Sequence, residues 1–166
     1  MGKRSDFERV ERDFYPTPKL AVIPLLPHLL PNSTFCEPCV GDGRLVSHLE
    51  EFGHKCVSSS DYEQDVRLIT ENKINNANLI ITNPPWDRGI LHPAILNCCF
   101  IRPTWFLFDA DWMHTKQSEK YIKYCEKIVS IGRVKWIEGS KNTGKDNCCW
   151  YLFKGNFSGK TTFIGR

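Results

Sequence analysis

Two short motifs carry residue types that could do chemistry together. Asn83-Pro84-Pro85-Trp86 follows an apolar run over 78–82 that reads as a buried strand. Neither Pro84 nor Pro85 can donate to a sheet ladder, so the strand stops there, and the loop that carries the Asn83 amide and the Trp86 ring is stiffened. Earlier in the chain lie Glu37, Gly41 and Gly43, between a predicted strand and a predicted helix. Strand, Gly-x-Gly turn and helix form a geometry in which backbone N–H groups approach a ligand at a helix N-terminus. The pair of motifs suggests a methyl donor held at the first and an amino group presented to it by the second.

The donor site can be read further. Val46 occupies the place of the third glycine of a dinucleotide fingerprint, which disfavours a nicotinamide cofactor. Glu37 ends the first predicted strand, where a carboxylate suits a cationic amine better than a pyrophosphate. Asp61 closes the second, where an acid commonly accepts hydrogen bonds from ribose hydroxyls. A cofactor with a ribose, a positive amine and no phosphate fits these features, and S-adenosylmethionine has that shape. The competing reading is a glycine turn that only packs a helix on a strand.

Several elements must position these residues. Residues 1–12 are highly charged and read as a loose arm or short helix. Residues 13–18 are extended and stiffened by proline. Thr17 is placed as an N-cap with Pro18 at the first helical position, opening a helix over 19–30 made irregular by Pro24 and Pro27. Strands are expected at 34–39, 55–60, 78–82 and 104–110. Helices are expected at 44–52, closed by Gly53, at 90–100 with Pro93 in the first turn, and at 118–127. Segments 133–137 and 149–153 read as an antiparallel hairpin around the loop 138–147. Strand–helix alternation ending in a hairpin predicts an α/β protein with a three-layer α/β/α, Rossmann-like architecture and a mostly parallel sheet. The whole of 1–166 is expected to be one domain, without a separate target-recognition domain.

Composition narrows the class. The 166 residues are 41% hydrophobic and 25% charged, ordinary for a soluble globular domain, and no run is long enough to cross a bilayer. The expected location is the cytoplasm, or the host cytoplasm for a phage protein. Eight cysteines lie largely in or beside apolar runs and read as reduced, small hydrophobes. Cys36 and Cys39 have zinc-like spacing, but no second pair does, so no metal site is expected. A net charge of +3 is compatible with a polyanionic partner without requiring one. Lys141 and Lys145 lie in a polar loop that reads equally as solvated surface or as a phosphate contact. His28, His48, His54 and His92 lack metal spacing, and Trp105, Phe106 and Phe108 read as core.

In three motifs, taken in order, the chain resembles the class I adenine-N6 DNA methyltransferases, notably the small phage and bacterial ones. Residues 13–18 look like the N-terminal cofactor motif, Glu37 to Gly43 like the main cofactor loop, and Asn83 to Trp86 like the catalytic loop. The closing hairpin, with Arg133 and Trp136, also looks like the end of that family. The resemblance implies S-adenosylmethionine as cofactor, met by Phe14, Tyr15, Pro16, Thr17, Glu37, Gly41, Gly43, Asp61 and Asp65. It implies that Asn83 Oδ1 and the Pro84 carbonyl accept the two N–H bonds of an exocyclic amine, with Pro85 in the same loop. A conjugated amine is a poor nucleophile, and such a grip holds its nitrogen toward tetrahedral geometry. Trp86 would stack on a base taken out of its duplex or met in a single strand. Trp112, His114 and Lys116, with Lys141 and Lys145, are the remaining substrate candidates. For Trp112 the competing reading is a ring packed inward.

The sequence departs from that family in carrying Trp at position 86, in the short stretch between Asp61 and Asn78, where the usual third strand would be abbreviated or absent, and in lacking visible surface for base-edge readout. Low specificity is therefore expected, or specificity supplied by a partner or a second copy. DNA is the expected substrate and RNA the nearest alternative. A protein glutamine methyltransferase and a non-catalytic binding module are the other readings.

Overall fold

The computed structural model describes residues 15–61, 63–137, 139 and 143–166. Among the described residues, seven strands form a single sheet in the order β2-β1-β3-β4-β6-β5-β7. These are β1 (Thr34–Glu37), β2 (Lys55–Ser59), β3 (Leu79–Thr82), β4 (Thr104–Asp109), β5 (Cys125–Arg133), β6 (Asn147–Phe153) and β7 (Thr162–Ile164). Only β6 runs against its neighbours, β4 and β5; the remaining pairings are parallel. The helices are α1 (Lys19–Val22), α2 (Arg44–Glu51), α3 (Arg88–Ile101) and α4 (Glu119–Ile122), with 3-10 turns between them. The expected Rossmann-like α/β architecture with an antiparallel hairpin is the one observed.

Alternation along the strands builds two cores. Phe35, Ile81, Trp105, Leu107, Trp150 and Leu152 pack on one face with Ala21, Val22, Leu45 and Leu49 of α1 and α2. Cys36, Ile80, Phe106, Phe108, Tyr151 and Phe153 pack on the other with Leu91, Ile95 and Cys98 of α3. Trp105, Phe106 and Phe108 are thus core, on opposite faces as their spacing requires. Burial pushes the thiols of Cys36 and Cys99 up to about 12, so they behave as small apolar side chains. Among the described residues, no helix is long and apolar enough to cross a membrane.

Four expectations need correction. The helix expected over 118–127 is a short one, Glu119–Ile122, and the chain enters β5 at Cys125. Of the strand expected at 133–137 only Arg133 is strand: it ends β5, Cys125–Arg133, and residues 134–137 follow it without strand structure. Register shifts at Cys125/Lys127 and Ser130/Gly132, the second with Gly132 at φ 74°, break the period-2 pattern that would have marked it. α3 starts at Arg88, because the Asp87 carboxylate accepts from Gly89 N, and Pro93 falls inside the helix. Pro18, not Thr17, is the N-cap of α1, and the helix passes into a 3-10 turn at Ile23.

Between β2 and β3 the described residues form two 3-10 turns, Val66–Leu68 and Glu71–Lys73, and no strand. Side chains cover the β2 edge instead: Asn75 Nδ2 donates to Val57 O at 2.8 Å and Ser58 Oγ to Lys73 O at 2.6 Å. The first bond satisfies an edge carbonyl that an added strand would otherwise meet, and the second fastens the covering segment to β2. β7 had no sequence signal strong enough to be expected.

Helix α1 is tied to β6 by a buried bond. Trp150 Nε1 donates to Ala21 O at 2.7 Å, with both residues buried. Trp150→Phe keeps an aromatic ring but leaves that carbonyl without its donor. It should lower unfolding free energy by about 1–3 kcal/mol in urea titration.

Candidate active site

The C-terminal ends of β1 and β3 are neighbours in a parallel sheet, so the residues that follow them share one edge. A cleft of about 300 Å³ opens there, lined by Tyr15, Pro16, Thr17, Glu37, Gly41, Asp42, Asp61, Asp65, Asn83 and Pro85 among others. Residues distant in sequence thus converge on the place where open α/β sheets bind ligands. Gly43 does not line the cleft itself. It caps α2 at φ 81°, and Gly41 sits at φ 51°, so both hold backbone that a side chain would strain. Phe14 and Lys141 lie outside the described residues.

Glu37 is 1% exposed. Its Oε1 accepts from Cys39 N at 2.9 Å. Burial raises its carboxyl to about 8, and the Asp61 charge adds to that rise. The Thr82 hydroxyl, buried without a hydrogen-bond partner at ordinary geometry, lies close enough to offset part of it. A buried acid that faces a cleft and has no cation paired to it among the described residues is suited to receive one. Asp65 is engaged differently: it forms a bidentate pair with Arg67, 2.6 Å at the closest, which holds its carboxyl below the usual range.

Asn83 is held from both sides. Its Nδ2 donates to Tyr15 O at 3.2 Å and to Thr17 Oγ1 at 3.1 Å. Its Oδ1 accepts from Trp86 Nε1 at 3.3 Å, an indole N–H shared with Leu107 O at 3.2 Å. A carbonyl such as Tyr15 O can only face the amide nitrogen, so the oxygen faces the other way. Pro84 is buried beneath this loop, and Trp86 is partly buried against both cores.

The structure also brings in a residue that sequence reasoning placed in a strand. Trp136 follows the end of β5, and its ring centroid lies 5.8 Å from that of Trp86 and 6.2 Å from that of Tyr15. Three aromatic rings therefore gather beside Asn83, within the span of edge-to-face aromatic pairs. The sequence signal was an aromatic just past a strand end, and the bulged β5 register concealed it. Arg88, directly after the loop, stands 3.5 Å from Asp109 and has a buried Nη1 with no hydrogen-bond partner.

The outer candidates divide. Trp112 is fully buried and donates from Nε1 to His92 Nε2 at 3.0 Å, so its ring belongs to the core and does not face a substrate. His114, Lys116 and Lys145 are exposed, none of them lining the cleft.

No family model matches the sequence, and no curated protein matches it. Solved structures do. A methyltransferase subunit of a type I restriction-modification system from Streptococcus thermophilus superposes with a TM-score of 0.59 at 10% identity, over 91% of this chain and 47% of that one. A protein assigned as an RNA methyltransferase from Pyrococcus horikoshii gives 0.55 at 13% identity over 90% of both chains. One assigned as a class I S-adenosylmethionine-dependent methyltransferase from Listeria monocytogenes gives 0.55 at 12%, over 96% of this chain and 68% of that one. The chain spans about half the length of the restriction-modification subunit. The fold is thus that of the class I methyltransferases.

The Glu37 environment has a consequence for stability. A carboxyl with a higher pKa folded than unfolded favours folding where it is protonated, and that contribution is lost as pH rises from about 4.5 toward about 8. Glu37→Gln should remove this decline. Urea midpoints of the variant should stay flatter than wild type across that interval and exceed wild type above it.

Proposed function

We propose that the chain transfers a methyl group from S-adenosylmethionine to the exocyclic N6 amino group of adenine in DNA. The observation that carries this reading is the Asn83 carboxamide, whose N–H groups are spent on Tyr15 and Thr17 while its oxygen, which accepts from Trp86 Nε1 with one lone pair, keeps the other for a donor beside the cleft. An acceptor-only grip selects a nucleophile that still bears N–H bonds, as an amino group on a ring does. Asn83 Oδ1 and the Pro84 carbonyl would take those two bonds and turn the nitrogen lone pair toward the cleft.

The cleft residues fit the donor. Glu37, buried with no cation paired to it among the described residues, suits its ammonium group, the Gly41–Gly43 turn lets backbone approach, and Asp61, which lines the cleft, would accept from ribose hydroxyls. When bound, S-adenosylmethionine supplies an electrophilic methyl on a sulfonium. The acceptor nitrogen, held by Asn83 Oδ1 and the Pro84 carbonyl, would take that methyl as the carbon–sulfur bond broke with its electron pair left on sulfur, and the surplus proton would pass to water. Asn83 need not act as a strong base, and no described residue is needed in that role.

Tyr15, Trp86 and Trp136 offer flat apolar surface for a base removed from its stack. Trp86 is not a free platform, because its N–H is bound to Leu107 O and Asn83 Oδ1, so the ring meets a base in one orientation. Exposed Lys116 and Lys145, with His114, can meet phosphates at the rim. Nucleic acid is favoured over protein by this aromatic surround. Base-edge readout would come from a partner subunit or a second copy.

Incubation with methyl-labelled S-adenosylmethionine and DNA, RNA or protein, followed by mass spectrometry, should place label on N6 of adenine in DNA. Label in RNA alone would move the substrate to RNA, and label on glutamine or on none would overturn the reading. Asn83→Ala should reduce turnover by about 10²-fold or more while cofactor affinity measured by calorimetry stays within a few-fold.

A further inference from the structure

We infer that Thr17 is a positioning residue for the catalytic amide: its hydroxyl sets the plane in which the Asn83 oxygen is presented. This rests on the methyl-transfer reading above and adds a residue to it.

The argument starts from the softness of the Asn side chain. Its terminal torsion joins sp³ and sp² carbons and is broad, so packing alone leaves the carboxamide free to swing. Three bonds act on the Asn83 carboxamide, two at Nδ2 and one from Trp86 Nε1 at Oδ1. The Tyr15 carbonyl, 3.2 Å from Nδ2, decides which end of the carboxamide is nitrogen. Reversing the group would set Oδ1 against that carbonyl and Nδ2 against the Trp86 N–H, like against like at both ends. Beside it, only the long bond from the Trp86 N–H, shared with Leu107 O, holds the other end of the group, and the nitrogen itself keeps a single tether. The Thr17 hydroxyl, 3.1 Å from the same nitrogen, takes the second N–H and fixes the angle.

Thr17 is well placed to be rigid. It is 4% exposed and precedes Pro18, the cap of α1, so its backbone is restricted to extended geometry. It also lines the donor cleft together with Tyr15. One short segment therefore forms a wall of the donor cleft and the mount of the acceptor-binding amide. Thr17 touches no reacting atom in this role, since it acts through Asn83.

Thr17→Val retains shape and burial but removes the acceptor, leaving one Nδ2 hydrogen unpaired. Turnover at saturating substrates should fall about tenfold, with the acceptor KM and the cofactor Kd each within twofold of wild type. Thr17→Ser should restore wild-type turnover. A second readout does not need activity. In nuclear magnetic resonance spectra, the Asn83 side-chain amide should exchange faster with solvent in Thr17→Val than in wild type or Thr17→Ser. This measurement also reports whether the valine variant is folded. Unchanged turnover and unchanged amide exchange in Thr17→Val would overturn the proposal. So would a loss confined to cofactor affinity with full turnover at saturation, which would make Thr17 a donor contact only. If the protein methylates no substrate, the methyl-transfer reading fails on the labelling experiment, while amide exchange still decides whether Thr17 holds Asn83.

Discussion

The site depends on one side chain held between two parts of the fold. Asn83 stands where β3 ends, its nitrogen bound to the segment that precedes α1 and its oxygen facing Trp86, which is anchored on β4 through Leu107 O. A free Asn amide is a weak and mobile acceptor. Three bonds, two from the distant Tyr15 and Thr17 and one from the nearby Trp86, make it a fixed one, and a fixed dipole requires no reorganisation when a substrate arrives. The same bonds require the first segment, β3 and β4 to keep their relative places. The pairing of β3 with β4 and the buried Trp150 contact with Ala21 keep them there.

A second constraint is electrostatic. Glu37 is buried at the neighbouring strand end, and its carboxyl is driven upward by desolvation. Such a group costs stability whenever it ionises without a counter-charge, so a cationic ligand in the cleft would relieve a cost that the fold carries at neutral pH. The contrast with Asp65 is instructive. That carboxylate already has its cation in Arg67, and its pKa moves the other way. Two acids on one cleft thus differ by the presence of a partner.

Much of the architecture was legible in the sequence because glycine, proline and apolar runs mark their own positions. The strands ending at Glu37 and Thr82, the turn at Gly41 and Gly43, and the helix beginning at Arg44 all follow from local steric and hydrogen-bonding rules. β5 was not legible, because two bulges shift its alternation and its charged first half resembles a helix face. Trp136 was lost with it: counted as strand, it could not be counted as a neighbour of Trp86 and Tyr15. Trp112 shows the reverse case, an aromatic in a loop-like sequence that the fold buries against His92.

By itself, the sequence determined the alternating α/β fold class, the proline-stiffened loop with Asn83 at its head and the glycine turn beside Glu37. These depend on residues whose effects act within a few positions of the chain. Only the tertiary structure decided which way the Asn83 amide faces, that Thr17 serves that amide instead of capping a helix, and that Tyr15, Trp86 and Trp136 meet. Each of these is a contact between segments brought together by strand order. No local pattern encodes the direction of a hydrogen bond across the sheet.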